Sequence, residues 1–182
     1  MNIGRLVART VIGGLFVGHG TQKLMGWFGG PGLEGTAGMM QSLELHPPRR
    51  NAVAAGVTET AGGALLTLGL ATPVACAGLI GTMITAIRKV HWSSGPWAAA
   101  GGYEYHLVLI AGLLALAEQQ PGDVSLDSKL GLDWTGFRWP LAALGAGAAA
   151  SAATVWLGGR TTPEQGQPTP DGTVESQSPE TL

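Results

Sequence analysis

Two ionisable residues of this 182-residue chain, Arg9 and Glu59, fall inside otherwise apolar stretches. A charge in such a place resists burial unless it is paired, neutralised or used, so each is first a functional hypothesis. At the ends of the same stretches lie His19, Gln22, Lys23, Glu104 and His106. Histidine exchanges protons near neutral pH. Lysine and glutamine donate hydrogen bonds that a carboxylate accepts. His19 and Lys23, four apart, share a helix face. At 100° per residue, Arg9, Phe16, Gly20 and Lys23 fall within about 40° of one stripe, which is predicted to face other helices. These seven residues are candidates for ligand binding or proton exchange. With the single cysteine, Cys76, an intramolecular disulfide, a Cys-x-x-Cys redox pair and a Cys-rich zinc site are excluded. Cys76 is expected to pack in a core. No metal site is predicted. Two histidines out of four make no haem motif, so a haem between His19 and His106 is not predicted either.

The elements that must position these groups are apolar ones. Hydrophobic residues make up 45% of the chain and charged residues 12%, where soluble domains carry about 25% charged. A net charge of −2 excludes a strongly basic nucleic-acid binder. The stretch between Arg50 and Arg88 has one charge, Glu59, and the stretch between Arg138 and Arg160 has none. About 20 apolar residues cross a bilayer as a helix. Thr72-Pro73 breaks the first stretch, because proline removes a backbone donor and disfavours helix in the residue before it. These patterns predict an all-α, multi-pass membrane protein. Its four-helix domain over residues 1–138 has spans at about 3–23, 51–71, 73–90 and 103–119. A fifth transmembrane helix follows at 139–158, and a disordered acidic tail at 159–182. A short interfacial helix is expected over 34–45, where Met39, Met40 and Leu43 form a semi-apolar face. Arg5 and Arg9 precede an apolar run as in a signal peptide, but no Ala-x-Ala-like cleavage site follows, so an uncleaved first helix is expected. Gly14-x-x-x-Gly18 and Gly145-x-x-x-Ala149 read as helix-packing motifs.

Alternating spans would bring the end of the first, the start of the second, the end of the third and the start of the fourth to one membrane face. That face would collect His19, Lys23, Arg49, Arg50, Arg88, Lys89, His91, Glu104 and His106, with Trp27, Trp92, Trp97, Tyr103 and Tyr105 as interfacial aromatics. Glu59 would lie roughly 12 Å below it. Basic residues alone favour this face in the cytoplasm.

The run His19-Gly20-x-Gln22-Lys23-Leu24-x-Gly26-x-Phe28-Gly29-Gly30-x-Gly32 resembles the end of the first helix of the DoxX family. Glu59-x-x-Gly62-Gly63 with Leu68-Gly69-Leu70-x-Thr72 resembles its second-helix pattern. Gly101-Gly102-Tyr103-Glu104-Tyr105 and Pro121-Gly122-x-x-Ser125-Leu126-Asp127 resemble the borders of its fourth. The resemblance implies a small protein of the cytoplasmic membrane with four core helices and a cytoplasmic N-terminus. Some relatives are associated with thiosulfate:quinone oxidoreductase activity, others with complexes that handle thiol and oxidative stress. The expected function is therefore a component of a membrane redox complex, with a quinone as candidate ligand, a membrane or peripheral redox protein as partner, and room for a homo-oligomer. Two alternatives stand beside it: a small-molecule or proton carrier using an Arg9/Glu59 pair, and a non-catalytic assembly factor.

Overall fold

A computed structural model describes residues 2–119 and 122–160; Pro121 and the acidic segment 161–182 lie outside the described residues. The described residues contain helices and no strand. The long helices are α1 (Ile3–Met25), α3 (Pro48–Leu68), α4 (Thr72–Ala86), α5 (Glu104–Glu118) and α7 (Arg138–Arg160), with shorter α2 (Gly32–Ser42) and α6 (Leu126–Lys129) between them. The first helix starts where the Asn2 side chain accepts the Arg5 backbone N–H, and ends at Gly26, whose φ of 72° suits glycine. After Gly26 the chain makes one 3-10 turn at Trp27–Gly29. The last helix continues to Arg160, two residues into the segment expected as tail.

Packing runs from α1 to α3, from α3 to α4, and from α4 to both α5 and α7. Leu66, Cys76, Leu79, Ile80, Leu113 and Ala117 form the centre of the core. Cys76 is buried there, as expected. The first helix buries Arg9, Gly13, Phe16 and Gly20 and exposes Ile3, Val7, Val11 and Leu15, one every four residues. A charge turned inward and an apolar stripe turned outward is the reverse of a water-soluble helix. It suits a helix surrounded by hydrocarbon. Leu107 and Val108 on α5 and Leu141, Trp156 and Leu157 on α7 are also exposed.

Two of the described helices are long and apolar enough to cross a membrane: Thr72–Ser94, which is α4 with its extension, and Arg138–Arg160. The helices at the other three predicted spans, α1, α3 and α5, do not reach that threshold, and α3 shows why. Its sequence is rich in Ala, Gly and Thr and includes Glu59. Its role is contact, and the contact corrects both predicted packing motifs. A Cβ on Gly14, Gly18 or Gly145 would meet nothing within 4 Å. One on Gly20 would stand 2.7 Å from the Gly56 carbonyl oxygen, and one on Gly63 2.5 Å from that of Gly13. Gly13 and Gly20 of α1 thus abut Gly63 and Gly56 of α3, backbone on backbone. Between α4 and α7 the close pair is Gly81 and Gly147, where a Cβ on Gly147 would lie 3.0 Å from the Gly81 nitrogen.

Candidate functional site

The α1–α3 seam determines what the polar side chains meet. Close contact at Gly20 and Gly56 brings Lys23, one turn further along α1, within reach of Glu59, one turn beyond Gly56 on α3. The Lys23 ammonium donates to Glu59 Oε2 at 2.6 Å. Glu59 is 5% exposed, so the charge-assisted bond offsets a desolvation that would otherwise be costly.

This ion pair lines a cavity of about 440 Å³, within the range of small-molecule sites. Phe16, Met39, Met40, Leu43, Met83 and Leu109 supply apolar lining. His19, Lys89, His91 and Tyr105 add polar groups, and Thr58, Thr82, Thr85, Ser151 and Thr154 add hydroxyls. Lys89 and His91 arrive there because α4 widens into a π turn over Ile87–His91. Single π turns often mark functional positions, since the wider turn re-aims the side chains that follow. The last helix closes one side: Thr85 Oγ1 donates to Ser151 Oγ at 2.9 Å.

The predicted site residues separate into four groups. His19, Lys23 and Glu59 line the cavity. Gln22 and His106 stand behind lining histidines: Gln22 Oε1 lies 3.0 Å from His19 Nδ1, and the His106 ring packs 4.3 Å from that of His91. His91 is held in turn by a 2.7 Å bond between Nδ1 and the Gly101 carbonyl. Glu104 opens α5, its backbone N–H on the Pro96 carbonyl, and does not line the cavity.

Arg9 belongs elsewhere, and the Arg9/Glu59 pair is a correction. Fourteen residues of helix put Arg9 about 21 Å from Lys23 along α1. Its guanidinium donates to the Val124 carbonyl at 2.5 Å, and Lys23 is Glu59's partner. The stripe prediction correctly turned Arg9 and Lys23 inward, Arg9 buried and Lys23 partly so, but a shared face says nothing about a shared depth.

Beside Arg9 lies a residue absent from the predicted site, Asp127, which is fully buried. Its carboxylate accepts from the Ala71 N–H at 2.8 Å, the Thr72 N–H at 3.1 Å and the Thr72 hydroxyl at 2.9 Å. Its own N–H donates to the Gly69 carbonyl at 2.8 Å. Ala71 has φ 48°, a left-handed conformation that costs a β-carbon-bearing residue roughly 1–2 kcal/mol. Asp127 holds it there and caps the start of α4. The cavity hydroxyls were also missed. Their signal was present in Thr82/Thr85 and Ser151/Thr154, two pairs spaced by three in apolar helices.

Residues 4–92 match the family model described as DoxX. The match covers α1 to α4 and ends before the resembling motifs at 101–105 and 121–127. No curated protein and no solved structure matches the chain.

Proposed function

With residues 4–92 forming a DoxX-family domain, and hence part of a small membrane-integral protein, we propose that the chain is a multi-pass quinone-binding component of a redox complex in the cytoplasmic membrane. The observation that carries this reading is the cavity in which the Lys23–Glu59 pair borders Met, Leu and Phe side chains. A quinone headgroup has two carbonyl acceptors on a flat apolar ring. The Lys23 ammonium and the Tyr105 hydroxyl are donors suited to the carbonyls, and the methionines adapt to the ring. Reduction of a bound quinone to the quinol takes two electrons from the redox centre of a partner protein, together with two protons. Glu59 and the histidines are the groups here that exchange protons.

The carrier alternative is less favoured, since Arg9 and Glu59 bond to different partners, the Val124 carbonyl and Lys23. An assembly factor would tolerate substitution of the cavity residues. Titrating short-tailed ubiquinone and menaquinone into the full chain in detergent, followed by calorimetry, tests the proposal. Saturable binding is expected, weakened about tenfold or more by Lys23→Met and by Glu59→Gln, as befits a charge-assisted hydrogen bond. No binding by the wild type, or unchanged affinity in both variants, rejects it.

A further inference from the structure

A second concavity, a groove of about 490 Å³, lies on the outer side of α3 and is lined by Arg49, Arg50, Val53, Ala54, Val57 and Thr58. We propose that this groove binds one anionic phospholipid, with its headgroup on Arg49 and Arg50 and an acyl chain along Val53 and Val57. The inference depends on the membrane setting and not on the quinone reading.

The charge pattern identifies the occupant. Arg49 and Arg50 occupy the first turn of α3, which contains no acidic residue. Cations are unfavourable at that end of a helix, where the backbone already presents partial positive charge. The fold compensates them little. Arg49 Nε donates to Glu34 at 3.2 Å, both side chains largely in the open, and such an exposed pair contributes little. Arg50 has no ion-pair partner among the described residues. An anion placed there would meet two guanidiniums and the helix end together. Below the arginines the groove turns apolar. Val53 and Val57 are exposed, four apart and on one face, and Val57 lies about 10 Å along the axis from Arg50. A charged head above an aliphatic slot on a lipid-facing helix fits a two-part ligand. A zwitterionic lipid would bring its own cation toward the arginines; an anionic one would not. Ala54 and Thr58 line this groove and the inner cavity alike, so the bound chain would lie against the cavity wall.

Native mass spectrometry of the full chain in detergent, with equal phosphatidylglycerol and phosphatidylcholine added, tests this. Preferential retention of phosphatidylglycerol is expected. Arg49→Gln and Arg50→Gln should each lower the preference about five-fold, and Val57→Trp should reduce retention by filling the slot. Glu34→Gln should raise the preference by releasing Arg49, an effect that a merely structural role for these exposed residues would not produce. A double arginine variant that keeps the wild-type ratio overturns the proposal, as does a Glu34→Gln ratio that falls or stays unchanged. Displacement of the lipid by inorganic phosphate at matched concentration also overturns it, since that would mark a site for the head anion alone.

Discussion

The two ends of the α1–α3 pair both bury charge, and they use it differently. At the N-terminal end of α1, Arg9 is 2% exposed and donates to a backbone carbonyl, while the Asp127 carboxylate accepts two backbone N–H groups and one hydroxyl. Those partners belong to turns, and the charges hold the turns in place. At the other end Lys23 and Glu59 bond to each other and still border a cavity. The same kinds of residue are structural where the fold itself supplies the partners, and available for chemistry where a cavity adjoins them. Burial alone does not tell the two apart; the identity of the partner does.

The strongest way to sharpen this contrast is to remove Asp127. Asp127→Ala leaves three donors around Ala71 and Thr72 without their acceptor and releases a strained backbone position. Its cost is expected at about 3–4 kcal/mol, read as a large drop in the unfolding midpoint in detergent. Asp127→Asn, which keeps one acceptor oxygen, should recover part of it. Quinone affinity of the remaining folded protein should be unchanged. A stable Asp127→Ala protein with impaired binding would break the contrast, because the far end would then belong to the site.

The glycine seam is common to both ends, so disturbing it should affect both properties. Gly63→Ala drives a methyl into the Gly13 carbonyl, and overpacking of this kind costs about 1–3 kcal/mol. Forcing α1 away from α3 should also lengthen the Lys23–Glu59 contact and weaken cavity binding. Gly14→Ala and Gly18→Ala, where a Cβ meets nothing, should instead raise stability by up to about 1 kcal/mol through helix propensity. If all three variants unfold alike, the seam is not where the structure has it.

Much of this architecture was legible in the sequence because charge and proline are sparse. The break at Thr72-Pro73 matches the start of α4 at Thr72, and the Arg9–Lys23 stripe was correctly turned inward. Both follow from local rules, helical period and proline geometry. The errors come from depth and distance. Gly14 and Gly18 have the familiar four-residue spacing, yet the contacting glycines are seven apart in each helix, at 13 and 20 and at 56 and 63, because two antiparallel helices lying side by side meet again after two turns. The roles of Asp127 and Ser151 depend on residues 55 and 66 positions away, and no period within one helix reports such a contact. Arg9 was paired with Glu59 because both are charged within apolar sequence, a likeness of surroundings that does not imply contact.

The smallest destabilisation, and the most telling, is expected from Lys23→Met. Lys23 keeps part of its surface accessible, with 22% of the side chain exposed against 6% for Glu59. Losing the lysine leaves a carboxylate bordering a cavity, where water can hydrate it. The cost should therefore be about 1–2 kcal/mol, below the 3–5 kcal/mol typical of breaking a fully buried pair. Glu59→Gln made on the Lys23→Met background should return most of that stability while leaving quinone affinity low. Such a double-mutant cycle separates the two roles: coupling in the unfolding midpoint measures the ion pair, and persistent loss of binding measures what the pair does for a ligand. If Lys23→Met destabilises as much as Asp127→Ala, or if the double variant regains affinity along with stability, then the cavity end buries charge for the same structural reason as the far end.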